Sequence, residues 1–148
     1  MHSIEEWSQR LKKLSNLKPS EEYREEVRKA IATKKEGLRV LSARVLAQWG
    51  DPESKECLKS LLTYHCQRTS GSAATGAISD SLSPLLESSD LDWALELYLT
   101  KAKPRVRFTM ISMLLVFDHA TLRNKLNFRL DDLKGAHRRD IRAVLMQI

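Results

Sequence analysis

LRVLSARVLAQWGDPESKECLKSLL, residues 38–62, is the stretch on which the fold turns. Leu38, Leu41, Val45, Leu46 and Trp49 recur three and four positions apart and make a wide apolar helix face. Gly50 then supplies the left-handed conformation that ends a helix. Asp51 is placed to cap the next one, and Pro52 takes its first position, where the missing N–H costs nothing. Leu58, Leu61, Leu62 and His65 share one face of that second helix. The stripe is too narrow to hold a helix by itself, so the two must pack on each other and on neighbours.

Working outward toward the N-terminus, Ser3 with Glu6 three residues later forms a capping box. Trp7, Leu11 and Leu14 follow at helical spacing and predict a helix from about Ile4 to Leu17. Pro19 and Ser20 interrupt it. Glu21 and Glu22 suit the positive end of a second helix, whose apolar stripe is Tyr23, Val27, Ala30 and Ile31. Toward the C-terminus, Pro104-Arg105-Val106-Arg107 opens a second copy of the pattern. Leu114 and Phe117 fall 68 residues after Leu46 and Trp49, with Leu122 and Leu126 on the helix that follows. Because 68 is twice 34, one more unit fits between the copies. Its first half, TSGSAATGAISDSLSP at 69–84, is poor in leucine; Ala73, Ala77, Ile78 and Leu82 can line one side of a short helix, either closely packed or partly frayed, and whether 69–84 is helical or mobile stays open at this point. In its second half Ser89 caps toward Asp92 and Trp93, Leu95, Leu97, Tyr98 and Leu99 follow. After Gly135 a last helix carries Ile141, Val144, Leu145 and Ile148. The expected order is helix pairs at 4–34, 36–66, 70–100 and 104–130 and a terminal helix at 136–147, in one all-α domain.

The pattern Leu38-Arg39, Ser42, Ala43, Leu46, Gly50-Asp51 and then Leu58, Leu61, Leu62 resembles a HEAT repeat. In that repeat a first helix of the form V-R-x-x-A-x-x-A-L leads through a Gly-Asp or Gly-Asn turn into a leucine-spaced partner. The resemblance covers about residues 36–130. It implies a right-handed α-solenoid of about four antiparallel helix pairs plus a C-terminal helix, in which Arg39 and Arg107 knit neighbouring repeats together through acidic partners.

A chain of 148 residues has the size of one domain and buries roughly two thirds of the surface its unfolded form exposes. Hydrophobic residues at 42% and charged residues at 30% exclude a disordered tail and an integral membrane protein. The longest apolar run, MISMLLVF at 110–117, is far shorter than the roughly 20 residues that span a bilayer. Its neighbourhood, Thr109 to Phe117, is read either as a buried central helix or as a dimer seam. The opening MHSIEEW lacks the basic-then-apolar order of a secretory signal, and the expected location is cytoplasmic. Cys57 and Cys66 lie nine positions apart on one helix, about 13 Å, whereas a disulfide needs α-carbons within about 7 Å; both are expected as free thiols.

Local chemistry is sparse. Gly71 and Gly76 have phosphate-loop spacing, but Ala77 and Ile78 occupy the places of the required Lys and Ser or Thr. Cys57, His65 and Cys66 lack the paired spacing of a zinc site, and Ser72, His65 and Asp80 lack a nucleophile elbow. No catalytic residue, metal ligand or cofactor is assigned, and His2, His119 and His137 are expected to be solvated. Charge says more. Net charge is +3 over 1–35, +1 over 36–68, −5 over 69–100 and +7 over 101–148, which predicts an acidic middle and a positive C-terminal pole. Arg123 and Lys125, on the polar side of the helix that carries Leu122 and Leu126, and Arg138, Arg139 and Arg142 on the last helix are the candidate partner-binding residues.

The expected function is a non-catalytic protein-protein interaction or scaffold module whose partner has an acidic surface. The alternative partner is nucleic acid, since some alkylpurine DNA glycosylases have HEAT-like folds with a basic concave face. Such enzymes place aromatics in that groove, whereas Trp93 and Tyr98 belong to the acidic segment here.

Overall fold

A computed structural model describes residues 2–68, 72–133 and 135–148. The helices are α1 (Ile4–Leu14), α2 (Glu21–Ala32), α3 (Glu36–Trp49), α4 (Pro52–Cys66), α5 (Ser72–Leu82), α6 (Leu91–Glu96), α7 (Pro104–Arg107), α8 (Ile111–Leu114), α9 (His119–Leu130) and α10 (Gly135–Leu145), with no strand among the described residues. Residues 69–71, at the start of the glycine-spaced segment, lie outside the described residues.

The quoted stretch folds as its residues dictate. Gly50 ends α3 at φ 65°, where its N–H donates to the Leu46 carbonyl, and Pro52 opens α4. Asp51 stands at the cap position of α4, yet its carboxylate makes no cap bond: Arg24 Nη2 on α2 takes it at 2.6 Å, and the Ser54 hydroxyl also donates to it. The Ser3–Glu6 capping box forms, and Ser20 caps α2 by accepting from the Tyr23 N–H. The first helix stops at Leu14 and not Leu17, because the N–H groups of Asn16 and Leu17 turn to carbonyls three residues back.

The third unit departs furthest from its sequence reading. Ala74, Ile78 and Leu82 form the buried stripe of α5, with Ala77 half-buried and Ala73 exposed. No cap forms between Ser89 and Asp92. The chain instead makes a 3₁₀ turn over Ser88–Asp90, closed by the Glu87 N–H donating to Asp90 Oδ2 at 2.8 Å. Beyond α6 the helix widens into a π turn at Leu97–Lys101, with the Ala102 N–H donating to the Leu97 carbonyl at 2.8 Å. The rod from 104 to 114 is likewise broken, since a 3₁₀ turn at Phe108–Met110 separates α7 from α8. Met110, Met113, Leu114 and Phe117 are buried along it.

The main packing partners follow the chain. α1 packs on α3, α3 on α5, and α5 on the rod from 104 to 114; α2 packs on α3, α4 on α5, and α9 on α10. Helix α3 is 14 residues long, about 20 Å, so the chain ends that it joins lie on opposite edges of the molecule. Side-chain and backbone contacts identify each edge. On one, Trp49 Nε1 donates to the carbonyls of Leu14 and Leu17 at 3.1 and 2.9 Å, Arg24 reaches Asp51, and Lys55 reaches Asp90. On the other, Arg39 Nε donates to the Ile31 carbonyl at 3.1 Å, Arg39 Nη1 lies 3.4 Å from His65 Nε2, and the Lys103 N–H donates to the Cys66 carbonyl at 2.8 Å. Cys57 and Cys66 are free thiols; Cys66 sits in the core against Met110, with burial pushing its pKa up to about 12.

Candidate interaction surface

The charged residues divide into those consumed in holding helices together and those left facing outward. Arg10, Arg24, Arg28, Arg39 and Arg107 belong to the first group. Arg24 joins α2 to Asp51 and Glu53, with its guanidinium 5.6 Å from the centre of the Trp49 ring. Arg28 spans Glu21, Glu25 and Glu53, and Arg10 grips Glu26 through two nitrogens at 2.8 and 2.9 Å. Arg39 and Arg107, the equivalent arginines of the two sequence copies, both knit elements together. They do so by different means. Arg107 has the expected acid, Asp140 on α10 at 3.5 Å, whereas Arg39 has a carbonyl, a histidine and the Tyr64 ring 4.9 Å away.

Two of the five acids of the acidic middle are paired with lysines from other segments. Asp90, almost fully buried, lies 2.6 Å from both Lys55 and Lys59 of α4, and Asp92 lies 2.6 Å from Lys125 of α9. Burial alone would raise the Asp90 pKa; the two ammonium groups and the Glu87 N–H outweigh it and hold it at about 2. Lys59 also stands over the Trp93 ring at 4.8 Å, which places that aromatic in the α4–α6 seam.

The five sequence-predicted residues do not form a single patch. Successive helical residues are about 100° apart, so Arg123 and Lys125 stand on opposite flanks of the buried Leu122–Leu126 stripe of α9. Lys125 turns toward α6, beside a groove of about 510 Å³ that Leu95, Asn124 and the exposed Phe128 also line. Arg123 turns toward the end of α10 and donates to the Ile148 carbonyl. Arg138, Arg142 and Arg139 fall within about 100° of one another on α10, Arg139 and Arg142 exposed on the flank away from buried Ile141 and Val144 and Arg138 half-buried at its border with Ile141. Met146, 88% exposed, shares that flank. Among the described residues no carboxylate stands within ion-pair distance of these three arginines.

His137 is not a solvated side chain. Its Nε2 is buried, and the ring lies 6.2 Å from that of Tyr98 and near Arg107. Burial first, then Arg107, lowers its pKa; burial and then Arg39 do the same to His65. Among the described residues no three His, Cys, Asp or Glu side chains stand together as a metal site would require, and no helix is long and apolar enough to cross a membrane.

Sequence reading missed a second group of cations. Lys34 and Lys35 follow α2, Arg68 follows α4, Lys101 and Lys103 precede α7, and Arg138 and Arg139 begin α10. These belong to the edge defined by the Arg39–Ile31 and Lys103–Cys66 contacts. A signal was present in the intervals: Lys35, Arg68, Lys103 and Arg138 are 33, 35 and 35 residues apart, one helix pair each. The chain matches no family model, no curated protein and no solved structure.

Proposed function

We propose that this chain is a non-catalytic helical-repeat scaffold of the HEAT type, a right-handed solenoid whose basic C-terminal end binds an acidic protein surface. Support for the solenoid comes from packing in chain order, with each tier covering the apolar side of the next. Further support comes from Arg39 and Arg107, which tie adjoining tiers at equivalent positions of the two sequence copies.

The observation that carries the partner assignment is the outer flank of α10. Arg138, Arg139 and Arg142 have no carboxylate partner there, while Arg10, Arg24, Arg28 and Arg107 are engaged. An arginine fork matches a carboxylate through two parallel hydrogen bonds, and Met146 beside it offers an adaptable apolar contact.

A glutamate-rich peptide titrated onto the immobilised protein tests the assignment. The expected outcome is that the triple variant Arg138→Glu, Arg139→Glu, Arg142→Glu loses binding while its far-ultraviolet dichroism is unchanged. Unchanged binding by that variant would overturn the assignment.

A further inference from the structure

We infer that the edge carrying the loops 33–35, 67–68 and 101–103 and the start of α10 is a docking surface for the phosphate backbone of duplex nucleic acid, contacted without regard to sequence. This goes beyond the protein-binding reading of α10 and uses a different side of the molecule; the two meet only at Arg138 and Arg139.

Exposed cations near helix C-termini often serve only to offset the negative end of the helix dipole. Here other groups already perform that service. The Ile31 carbonyl at the end of α2 is taken by buried Arg39, the Cys66 carbonyl at the end of α4 by the Lys103 N–H, and the Leu97 carbonyl by the Ala102 N–H. The ammonium groups of Lys34, Lys35, Lys101 and Lys103 have neither a carbonyl nor a carboxylate partner among the described residues. Arg68 spends one nitrogen on the Tyr64 hydroxyl at 2.6 Å and turns its charge on no acid. Glu5, Glu6, Glu36, Asp131 and Asp132 are exposed acids of this edge, still fewer than its cations.

Spacing selects the kind of polyanion. Packed helices lie 8–10 Å apart, so one cationic loop per tier gives a row with a step of about 10 Å and a total span of about 30 Å over three steps. A folded acidic protein has no reason to repeat its charge at that interval over that length. A duplex does: its phosphates are regular, and one turn covers about 34–36 Å. On the opposite edge the exposed acids Glu21, Glu22, Glu53, Glu87 and Asp118 outnumber the exposed Lys12, Lys13 and Lys18 and would disfavour a polyanion. The molecule would therefore meet a duplex in one orientation.

Anisotropy of a labelled random-sequence 20-base-pair DNA duplex, titrated with the full chain between 50 and 200 mM salt, tests this. Four backbone contacts predict a slope of log K against log[salt] of about −3 to −4. The triple variant Lys35→Gln, Arg68→Gln, Lys103→Gln is expected to lower the slope by about 3 units and weaken binding at least about tenfold at 50 mM salt. A matched control, Lys12→Gln, Lys13→Gln, Lys18→Gln, removes the same charge elsewhere and is expected to leave both nearly unchanged. Equal effects of the two triples, or no binding at 50 mM salt, would overturn the proposal. So would polyglutamate of matched charge competing as well as the duplex, an outcome that would transfer this edge to an acidic protein. The triple leaves Arg138, Arg139 and Arg142 intact, so its result is independent of the peptide test on α10.

Discussion

His65 and His137 are each set beside an arginine in the interior of a helix seam. His65 faces Arg39, with Arg68 also near and Glu36 opposing; His137 faces Arg107, with Arg129 near and Asp140 opposing. In each, burial is the larger reason that the folded pKa falls below the ordinary 6.5, and the arginine adds to it. The sign of the linkage follows. Above the ordinary value both rings are neutral in the folded and unfolded chains and pH has no leverage on them. As pH falls through 6.5 the unfolded chain takes up protons that the folded chain refuses, so stability declines until the depressed folded values are reached. Urea denaturation at pH 8, 6.5 and 5 should give falling midpoints. The double variant His65→Gln, His137→Gln should flatten that fall, whatever its absolute stability; a slope as steep as in the parent chain would exclude the two rings as its source.

Between elements, the charges that matter most converge on Asp90. Its carboxylate joins the short turn before α6 to two lysines on α4, all three side chains largely buried. Removing one member of such a group leaves charge without compensation in a poorly solvated place, which costs about 3–5 kcal/mol. Asp90→Asn is therefore expected to lose that much in urea unfolding, and Asp92→Asn, whose partner bridge is exposed, less than about 1 kcal/mol. The Asp90 contribution is fully present above the ordinary carboxylate value of 3.8 and disappears as pH falls toward about 2. This scale also explains what was legible in the sequence. Gly50-Asp51-Pro52 announces its turn because backbone conformation decides it: a positive φ, a missing N–H and a helix start are properties of single residues. The π turn at Leu97–Lys101 and the 3₁₀ break at Phe108–Met110 had no such marker. Leu97, Tyr98, Leu99 and Met110 are ordinary helix-compatible side chains, and it is their burial against neighbouring elements that settles the local winding. Asp51 reads as a cap for the same local reason, until Arg24, 27 positions away, claims its carboxylate.

For the molecule as a whole, the proposed solenoid has a thermodynamic signature. If stability is a sum over tiers and their seams, core truncations at the two ends do not sense each other. Leu14→Ala in α1 and Ile141→Ala in α10, both fully buried, should each cost about 2–5 kcal/mol, and the double variant should equal their sum within about 0.5 kcal/mol. A larger coupling would point to one shared core in place of successive tiers. The candidate surfaces were less legible than the helices, because averaging charge over a segment hides where each charge stands. The net −5 of residues 69–100 suggested a repelling middle, but Asp90 and Asp92 are spent on lysines from other segments. The cations of the loop edge number only one or two per repeat and vanish in every local window.

The indole of Trp49 gives the molecule an internal gauge. Because its Nε1–H donates to the carbonyls of Leu14 and Leu17 where the first hairpin turns, any loosening of that hairpin frees the indole proton before the rest of the chain responds. Trp93, seated over Lys59, is bound to a different seam. The two indoles would then leave their folded environments at different moments during gradual melting, so that emission or proton resonance can tell the loss of a terminal layer from the collapse of the middle.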